Sequence, residues 1–568
     1  MALSYEEAGA QVTAPGQLFE VAPITVAGVE YNAFKNAPGS LRDLFSLARG
    51  YGDKTFLVYE NERWSFADVL GQVDALASLL VESYHVGRGD RVAIGMRNFP
   101  EWVVSFAAIT SIGAISVSLN AWWVEHELDY ALGDCGAKVL IADEERVGRT
   151  RDACKRLDVS VIGVRCSPST EVDRWEDVLP LGAPLPDVAV GSEDDATILY
   201  TSGTTGSPKG AVSTNRAVLQ ALMGFACRAM VERARQQEAG GETTEGGSAA
   251  DLAEAAEQSF ILVVPLFHVT GCVPVMLSCF AFGMKLVMMH RWEPDRALEL
   301  IERERITTFV GVPTQSWDLL ESPRFPEFDT SSLRAVGGGG APAPPALVKR
   351  GAGSFSKGLP NIGYGMTETN AYGPGNSGKD YVDHPTSTGR PTPILEISIR
   401  DPDGDPVPTG QSGEIWLKSP SLIRGYWGKP DETAAVFVDG WLRTGDLGRM
   451  DSDAFLYIED RLKDMILRAG ENVYCAEVEA ALYEHPAVYE AAVFGLPHPR
   501  LGEEVAAVVV PKTGVTVGAD ELQKHVGERL APFKVPSRVA ITESSLPRNA
   551  AGKVLKTDLR DRFADDRT

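Results

Sequence analysis

A chain of 568 residues that is 44% hydrophobic and 23% charged is long enough for several globular units with a sizeable core. Its net charge of −24 and pI near 4.9 exclude nucleic acid or an anionic membrane surface as the main partner, so an anionic substrate must find a local positive site. The seven cysteines are scattered and contain no C-x-x-C pair, and Met1 to Gln17 lack a basic or apolar leader, so free thiols and a cytoplasmic location are expected.

Residues 1–38 show little periodicity and read as an arm or wrap. From Leu41 the pattern alternates. A helix over 41–49, strands over 56–59 and 62–65 and a helix from Phe66 to about Tyr84 come first. A strand over 91–96, a helix from Pro100, a strand over 114–119, a helix over 125–132 and a strand over 139–142 follow. Apolar strands alternating with amphipathic helices imply βαβ units and a largely parallel sheet.

At Ile198-Leu199-Tyr200 a strand runs into Thr201-Ser202-Gly203-Thr204-Thr205-Gly206-Ser207-Pro208-Lys209-Gly210, with a helix expected from about Asn215. Backbone N–H groups, hydroxyls and one lysine in a glycine-rich turn suit a polyphosphate. The spacing does not fit G-x-x-x-x-G-K-[ST], since Pro208 precedes Lys209 and Gly210 follows it. Taken alone, the cluster fits an ordinary turn equally well.

The alternation breaks over 231–258, which is rich in Glu, Ala, Gly and Gln and reads as a mobile solvated insert. Phe260 to Met284 contains no Asp, Glu, Lys or Arg and by length alone could span a bilayer. With Pro265, His268, Gly271 and Pro274 inside it, it reads better as a buried strand (261–264), helix (273–282) and strand (285–289). A helix over 295–305 and strands over 307–312 and 333–336 come next, the last ending in Gly337-Gly338-Gly339-Gly340-Ala341-Pro342. Glycines following a strand leave the carboxyl end of an α/β sheet free for a ligand.

A strand over 359–362 enters Gly363-Tyr364-Gly365-Met366-Thr367-Glu368-Thr369. Beyond about Thr388 short β segments define a smaller β-rich subdomain, followed by a charged junction at 459–464. A compact tail carries helices over 476–483 and 520–530, strands near 491–495 and 505–510, and a closing stretch to Lys553.

Six stretches in this order carry a resemblance: YTSGTTGSPKG from Tyr200, PLFHVTG from Pro265, YGMTET from Tyr364, Thr444-Gly445-Asp446, DRLKDMILRAGENVYCAEVE from Asp460, and NAAGKVLK around Lys553. Over about 41–556 the chain resembles the adenylate-forming superfamily of acyl-CoA synthetases, luciferases and peptide-synthetase adenylation domains. The resemblance implies an α/β fold. A large N-terminal domain of parallel-sheet βα layers (1–460), with its β-rich subdomain at about 388–460, is followed by a mobile α+β C-terminal domain (461–568). It implies ATP, Mg²⁺ and coenzyme A as reactants or cofactors, and a small-molecule carboxylic acid as partner. Neither nucleic acid nor a transmembrane span is expected, while peripheral membrane contact and a homodimer stay open.

By the same resemblance Thr201, Ser202, Gly203, Thr204, Thr205, Gly206 and Lys209 hold the β- and γ-phosphates, and Thr367 faces the α-phosphate. Glu368, with Thr201, holds Mg²⁺. Tyr364 packs on adenine within Gly363 to Met366 (Gly365 included), and Gly339, Gly340, Ala341 and Pro342 form the opposite wall. Asp446 accepts from the ribose, with Arg461 alongside. Lys553 bridges the attacking carboxylate and the phosphate, and His268 orients the acid, whose carboxylate has no proton to lose. Lys463 is the hinge about which the C-terminal domain turns between half-reactions, bringing Gly470, Glu471 and Asn472 to a pantetheine tunnel.

An acyl pocket of His268, Val269, Val310, Gly338 and Gly339, with Met366 and Ala371 near, contains no Lys or Arg for a second carboxylate. A medium- or long-chain fatty acid is therefore expected, an aryl or other bulky hydrophobic acid next. An acyl-AMP ligase loading a carrier protein, a luciferase-like oxygenase and a silent nucleotide-binding protein are the competing readings.

Overall fold

The computed structural model describes residues 3–168, 172–201, 208–238, 258–341, 343, 345–356, 358–469, 471–549 and 552–565. Two eight-stranded sheets form the bulk of the α/β fold. In the first, the parallel strands Asp195–Thr201, Ile115–Ser118, Arg91–Gly95, Val139–Asp143, Ser160–Val164 and Asp173–Arg174 are neighbours in that order. Lys209–Thr214 and then Gly425–Tyr426 extend it antiparallel. In the second, Leu359–Gly363, Ala335–Gly339, Thr308–Gly311, Ser259–Leu262, Lys285–Met288 and Thr55–Tyr59 run parallel in that order. Antiparallel edges at Gly375–Ser377 and Glu62–Ser65 close its two sides.

Pro100–Ser111 shows why these layers pack so tightly. All twelve residues are buried, Trp102 and Phe106 among them, and Pro100 opens the helix where no amide partner is needed. The charge-free stretch belongs to the same core: Ile261, Leu262, Cys272, Leu277 and Phe280 are fully buried, and Phe280 packs on Phe56 at 4.5 Å between ring centres. Each such side chain contributes about 1.5–3 kcal/mol of burial, far more than interfacial exposure would. Its helix departs from expectation, with a π-helical Gly271–Leu277 containing Pro274 leading into the α-helical Ser278–Phe282. Among the described residues, no helix is long and apolar enough to cross a membrane.

The amino-terminal 38 residues are more ordered than their weak periodicity suggests. Ser4 and Glu7 form a reciprocal capping box on the helix Tyr5–Val12, and Val21–Val26 pairs with Val29–Phe34 as a hairpin. The expected break at Val231 also moves: the helix Asn215–Glu238 continues through a buried Val231, and 239–257 lie outside the described residues. The unanticipated helix Glu144–Leu157 and strand Ser160–Val164 complete the first sheet.

A five-stranded antiparallel sheet follows, built from Glu396–Arg400, Gly413–Lys418, Trp441–Met450, Phe437–Val438 and Leu456–Arg461. The last sheet has Val488–His498 and Gly502–Pro511 at its centre, with Ile466–Arg468, Glu471–Val473 and Arg538–Ile541 beside them. The helix Cys475–Tyr483 packs on that sheet through Val478 and Leu482. All seven cysteines are free and buried, and burial pushes every thiol up, Cys166 to about 11 and Cys135 to about 12.

Candidate active site

A cavity of about 2300 Å³ opens over the carboxyl ends of the second sheet. That exceeds the usual several hundred Å³ of a small-molecule pocket and leaves room for two ligands together. Thr201, Lys209, His268, Val269, Val310, Gly338, Gly339, Gly340, Gly363, Gly365, Met366, Thr367, Glu368, Ala371, Asp446, Arg461, Lys463 and Lys553 all line it. Ser202, Gly203, Thr204, Thr205, Gly206, Pro342 and Gly470 lie outside the described residues.

The phosphate-loop reading changes at its base. Thr201 pairs with Lys209 across the antiparallel strands Asp195–Thr201 and Lys209–Thr214, so a strand intervenes between the glycine-rich stretch and the helix, which begins at Asn215 as expected. Lys209 Nζ sits 2.6 Å from Glu432 Oε2 and 5.3 Å from the centre of the Tyr426 ring. The Tyr426 hydroxyl donates to Glu368 Oε1 at 2.8 Å. Burial raises the Glu368 carboxyl, and Tyr426 partly offsets that. Neither Tyr426 nor Glu432 was singled out from the sequence, because both are contributed from a remote segment that adds an edge strand beside Lys209.

Glu368 stands in a tight turn, Thr367–Thr369, that ends in two non-glycine residues with positive φ, Asn370 at 54° and Ala371 at 61°. That uncommon backbone is held from outside. Ser213 donates to Asn370 Oδ1 at 2.9 Å, and Asn370 Nδ2 donates to the Ser421 carbonyl at 2.9 Å.

The strand expected over 333–336 lies instead at Ala335–Gly339 and so includes Gly337 to Gly339. Gly338 has φ +152°, and a Cβ there would lie 1.8 Å from the Gly311 carbonyl oxygen. At Gly337 a Cβ would meet the Asn361 carbonyl oxygen at 1.9 Å. Close approach of the neighbouring strands, as much as ligand access, requires glycine here. Ala341 does not line the cavity.

Asp446 lies in Trp441–Met450 opposite Arg461. Gly445 has φ +70°, and the Thr444 hydroxyl accepts from the Asp446 N–H at 3.1 Å, fixing the aspartate's direction. The carboxylate receives Arg461 Nε at 3.3 Å and the Tyr364 hydroxyl at 2.6 Å. Tyr364 is itself buried and absent from the cavity lining, and burial together with Asp446 pushes its phenol well up. Its hydroxyl supports Asp446 from behind, while Gly363, Gly365 and Met366 form the wall at this point.

Lys553 reaches the same space from the C-terminal sheet's side. Its N–H donates to Asn549 Oδ1 at 2.9 Å, Arg548 donates to the Gly552 carbonyl at 2.6 Å, and Arg548 is anchored on Glu490 at 2.6 Å. A Cβ on Gly552 would lie 3.0 Å from Val312, so the two halves meet here. Burial, then Arg461, lowers the Lys553 ammonium to about 7. Glu471 and Asn472 lie exposed on the strand Glu471–Val473 and do not line the cavity.

His268 is lowered to about 4 by burial and is neutral near pH 7. Its Nδ1 accepts the Thr270 N–H at 3.3 Å, which leaves the ring proton on Nε2 as a donor. Asn98 fixes the preceding turn by accepting from the Leu266 N–H at 2.9 Å and donating to the Val264 carbonyl at 3.1 Å. From His268 the cavity continues along the strands to their opposite ends, at Gln258, Thr308, Arg334 and Leu359. Strands of four to five residues make that path about 13–17 Å long. Phe225, Ala229, Phe260 and Val264 give it an apolar lining. The expectation of a wall free of Lys and Arg fails, because Arg228 and Arg233 of the helix Asn215–Glu238 and Arg334 line it too.

The sequence matches the AMP-binding enzyme family over residues 44–427 and the AMP-binding enzyme C-terminal domain over 477–553. It is 36% identical over 503 residues to a feruloyl-CoA synthase of Amycolatopsis sp, covering 88% of this chain and 94% of that one. It is 33% identical over 504 residues to the long-chain-fatty-acid–CoA ligase FadD13 of Mycobacterium tuberculosis, covering 87% of this chain and 92% of that one. The solved amide bond synthetase McbA of Marinactinospora thermotolerans superposes with a TM-score of 0.77 at 30% identity, covering 92% of this chain and 99% of that one.

Proposed function

The chain belongs to the AMP-binding enzyme family and is an acyl- or aryl-CoA ligase of the adenylate-forming type, and from that premise we propose that its acid is a hydrophobic carboxylic acid. The carboxylate attacks the α-phosphate of ATP, giving an acyl-adenylate and pyrophosphate, and the thiol of coenzyme A then displaces AMP. The observation that carries this reading is the shared cavity, with Lys209, Glu368, Asp446, Arg461 and Lys553 around one part and an apolar path leading away from His268.

Each group has a task that its surroundings support. Asp446 accepts from the ribose hydroxyls while Tyr364 and Arg461 hold it in place. Lys209 stabilises charge on the departing pyrophosphate, and Lys553 lies between the two anions that must approach. His268, neutral and donating through Nε2, orients the acid's carboxylate. Glu368 and Thr201 offer hard oxygen donors that fit Mg²⁺, which uses few protein carboxylates when phosphates supply the rest. When bound, Mg²⁺ would neutralise phosphate charge.

Lys463 is assigned the hinge and Gly470 to Asn472 the thiol approach in a second arrangement. With Lys553 inside the cavity and Glu471 and Asn472 outside it, the arrangement seen here suits the first half-reaction. Among hydrophobic acids, fatty and aryl types both have curated relatives named for them, a long-chain fatty acid and ferulate. AMP release with coenzyme A over a panel of acids, with pyrophosphate exchange run without coenzyme A, tests the proposal. Exchange without any later thioester would point instead to an acyl-AMP ligase.

A further inference from the structure

Arg228 is a half-buried guanidinium beside Phe225 and Ala229, on a helix that also brings Glu232, Arg233 and Gln236 to the cavity. Among the described residues no carboxylate comes within 4 Å of it. Glu232, one turn further along the same helix, is the natural partner by spacing, yet its carboxylate is taken by Arg235 at 3.1 Å. Asp380 is likewise taken, by Arg235 at 2.8 Å and Arg390 at 3.2 Å. What Arg228 does have is a long 3.4 Å bond to the Gly373 carbonyl and the face of Phe225 at 5.5 Å.

The backbone has been cleared for this side chain. A Cβ on Gly375 would lie 2.0 Å from Arg228 Nη1, whereas one on Gly363, 3.9 Å from Nη2, would make only an ordinary contact. A guanidinium withdrawn from water is costly unless oxygen acceptors satisfy it, and here its remaining donors lack a protein carboxylate. Arg228 flanks Leu359–Gly363, three strands from Ser259–Leu262, which leads to His268. Three strand spacings are roughly 14 Å, a span that an extended acid chain covers.

We infer that Arg228 is the specificity-determining residue of the acyl cavity, and that the preferred acid carries a hydrogen-bond-accepting oxygen remote from the carboxylate that is activated. This deepens the ligase proposal and rests on it. The oxygen is either that of a second carboxylate or a neutral hydroxyl or carbonyl oxygen, and a bidentate fork serves both, the anionic one more strongly.

The test uses matched acids in the AMP-release assay: a monocarboxylate against the α,ω-dicarboxylate of equal length, and an aryl acid with and without a ring hydroxyl. The unaltered enzyme should favour the oxygen-bearing member of at least one pair by about 10-fold or more in kcat/KM. Arg228→Met should lose about 10- to 100-fold on that member alone, with activity on the apolar member and KM for ATP unchanged. Arg228→Lys should keep part of the preference. Gly375→Ala, which displaces the guanidinium without removing it, should repeat the loss and covers the case in which Arg228→Met does not fold. Equal losses on both members, a raised KM for ATP, or a preference for the apolar member in every pair would overturn the inference. Failure of the ligase reading looks different, since no acid would then release AMP from the unaltered enzyme.

Discussion

The side chain of Lys209 is paired with Glu432 at 2.6 Å, so the lysine assigned to the departing pyrophosphate already has a protein counter-ion. Glu432 is two-fifths exposed, and after screening such a pair is worth at most about 1 kcal/mol. Glu432→Gln should therefore lower KM for ATP in pyrophosphate exchange by up to about fivefold. A higher KM would mean that Glu432 positions Lys209 for nucleotide.

Lys553→Ala should abolish acyl-adenylate formation while leaving thioester formation from supplied acyl-AMP intact. The unaltered protein offers a pH test as well. With the ammonium lowered to about 7, the protonated, working form predominates below that pH and is lost as pH rises through it. kcat/KM for ATP should fall on the alkaline side of about 7, and Lys553→Arg should move that limb upward. A flat profile from pH 6.5 to 9 would mean that the ammonium stays protonated throughout, leaving Lys553→Ala as the test of its role.

Tyr364→Phe deletes only the hydroxyl that donates to Asp446. Loss of a hydrogen bond to a charged group costs about 1.5–3 kcal/mol, so KM for ATP should rise by roughly 10- to 100-fold. The deficit should shrink with a 2′,3′-dideoxy nucleotide, which no longer needs the aspartate. An equal deficit for both nucleotides would indicate a role in packing only.

Lys463→Pro should leave pyrophosphate exchange close to that of the unaltered enzyme and block transfer to coenzyme A. The Lys463 N–H makes no hydrogen bond among the described residues, whereas the Leu462 and Asp464 N–H groups are bonded to Gly445 and Arg461 at 3.0 Å each. Proline therefore removes no bond of this arrangement and restricts only the turn. Loss of both half-reactions together would count against a hinge at this position.

Gly338→Ala should destabilise the fold by about 3 kcal/mol or more, since its Cβ would collide with the Gly311 carbonyl at a φ that alanine avoids. Gly351→Ala, in the helix Pro345–Ser354 with nothing within 4 Å of a new Cβ, should be neutral or stabilise by up to about 1 kcal/mol. Thermal denaturation of the two variants separates these outcomes.

Periodicity made the alternating layers legible, and Glu62–Ser65 and the helix starting at Phe66 fall where the pattern puts them. The motifs were equally legible, since Asp446, Glu368 and Lys553 do meet at one cavity from three separate segments. Partnerships across long sequence separations were not. Nothing near Lys209 announces Glu432, and nothing near Asp446 shows that Tyr364 would give its hydroxyl to it rather than its ring to the cavity. The helix within the arm was missed for a local reason: an element as short as Tyr5–Val12 has too few turns to establish a period, and its signal lay in the Ser4 and Glu7 cap. Arg228 was hidden because a helical arginine beside apolar residues reads as a solvent-facing charge until Gly375 across from it is seen.

The buried cysteines acquire a meaning from the chemistry proposed for the cavity. An acyl-adenylate is a reagent for thiolates, and a chain that makes one risks being acylated by its own intermediate. Here none of the seven sulfurs lines the cavity, and burial keeps each in its unreactive protonated form near neutral pH. The activated acyl group therefore meets no competing nucleophilic sulfur from the protein, and the only thiol that can consume it is one that arrives from solution.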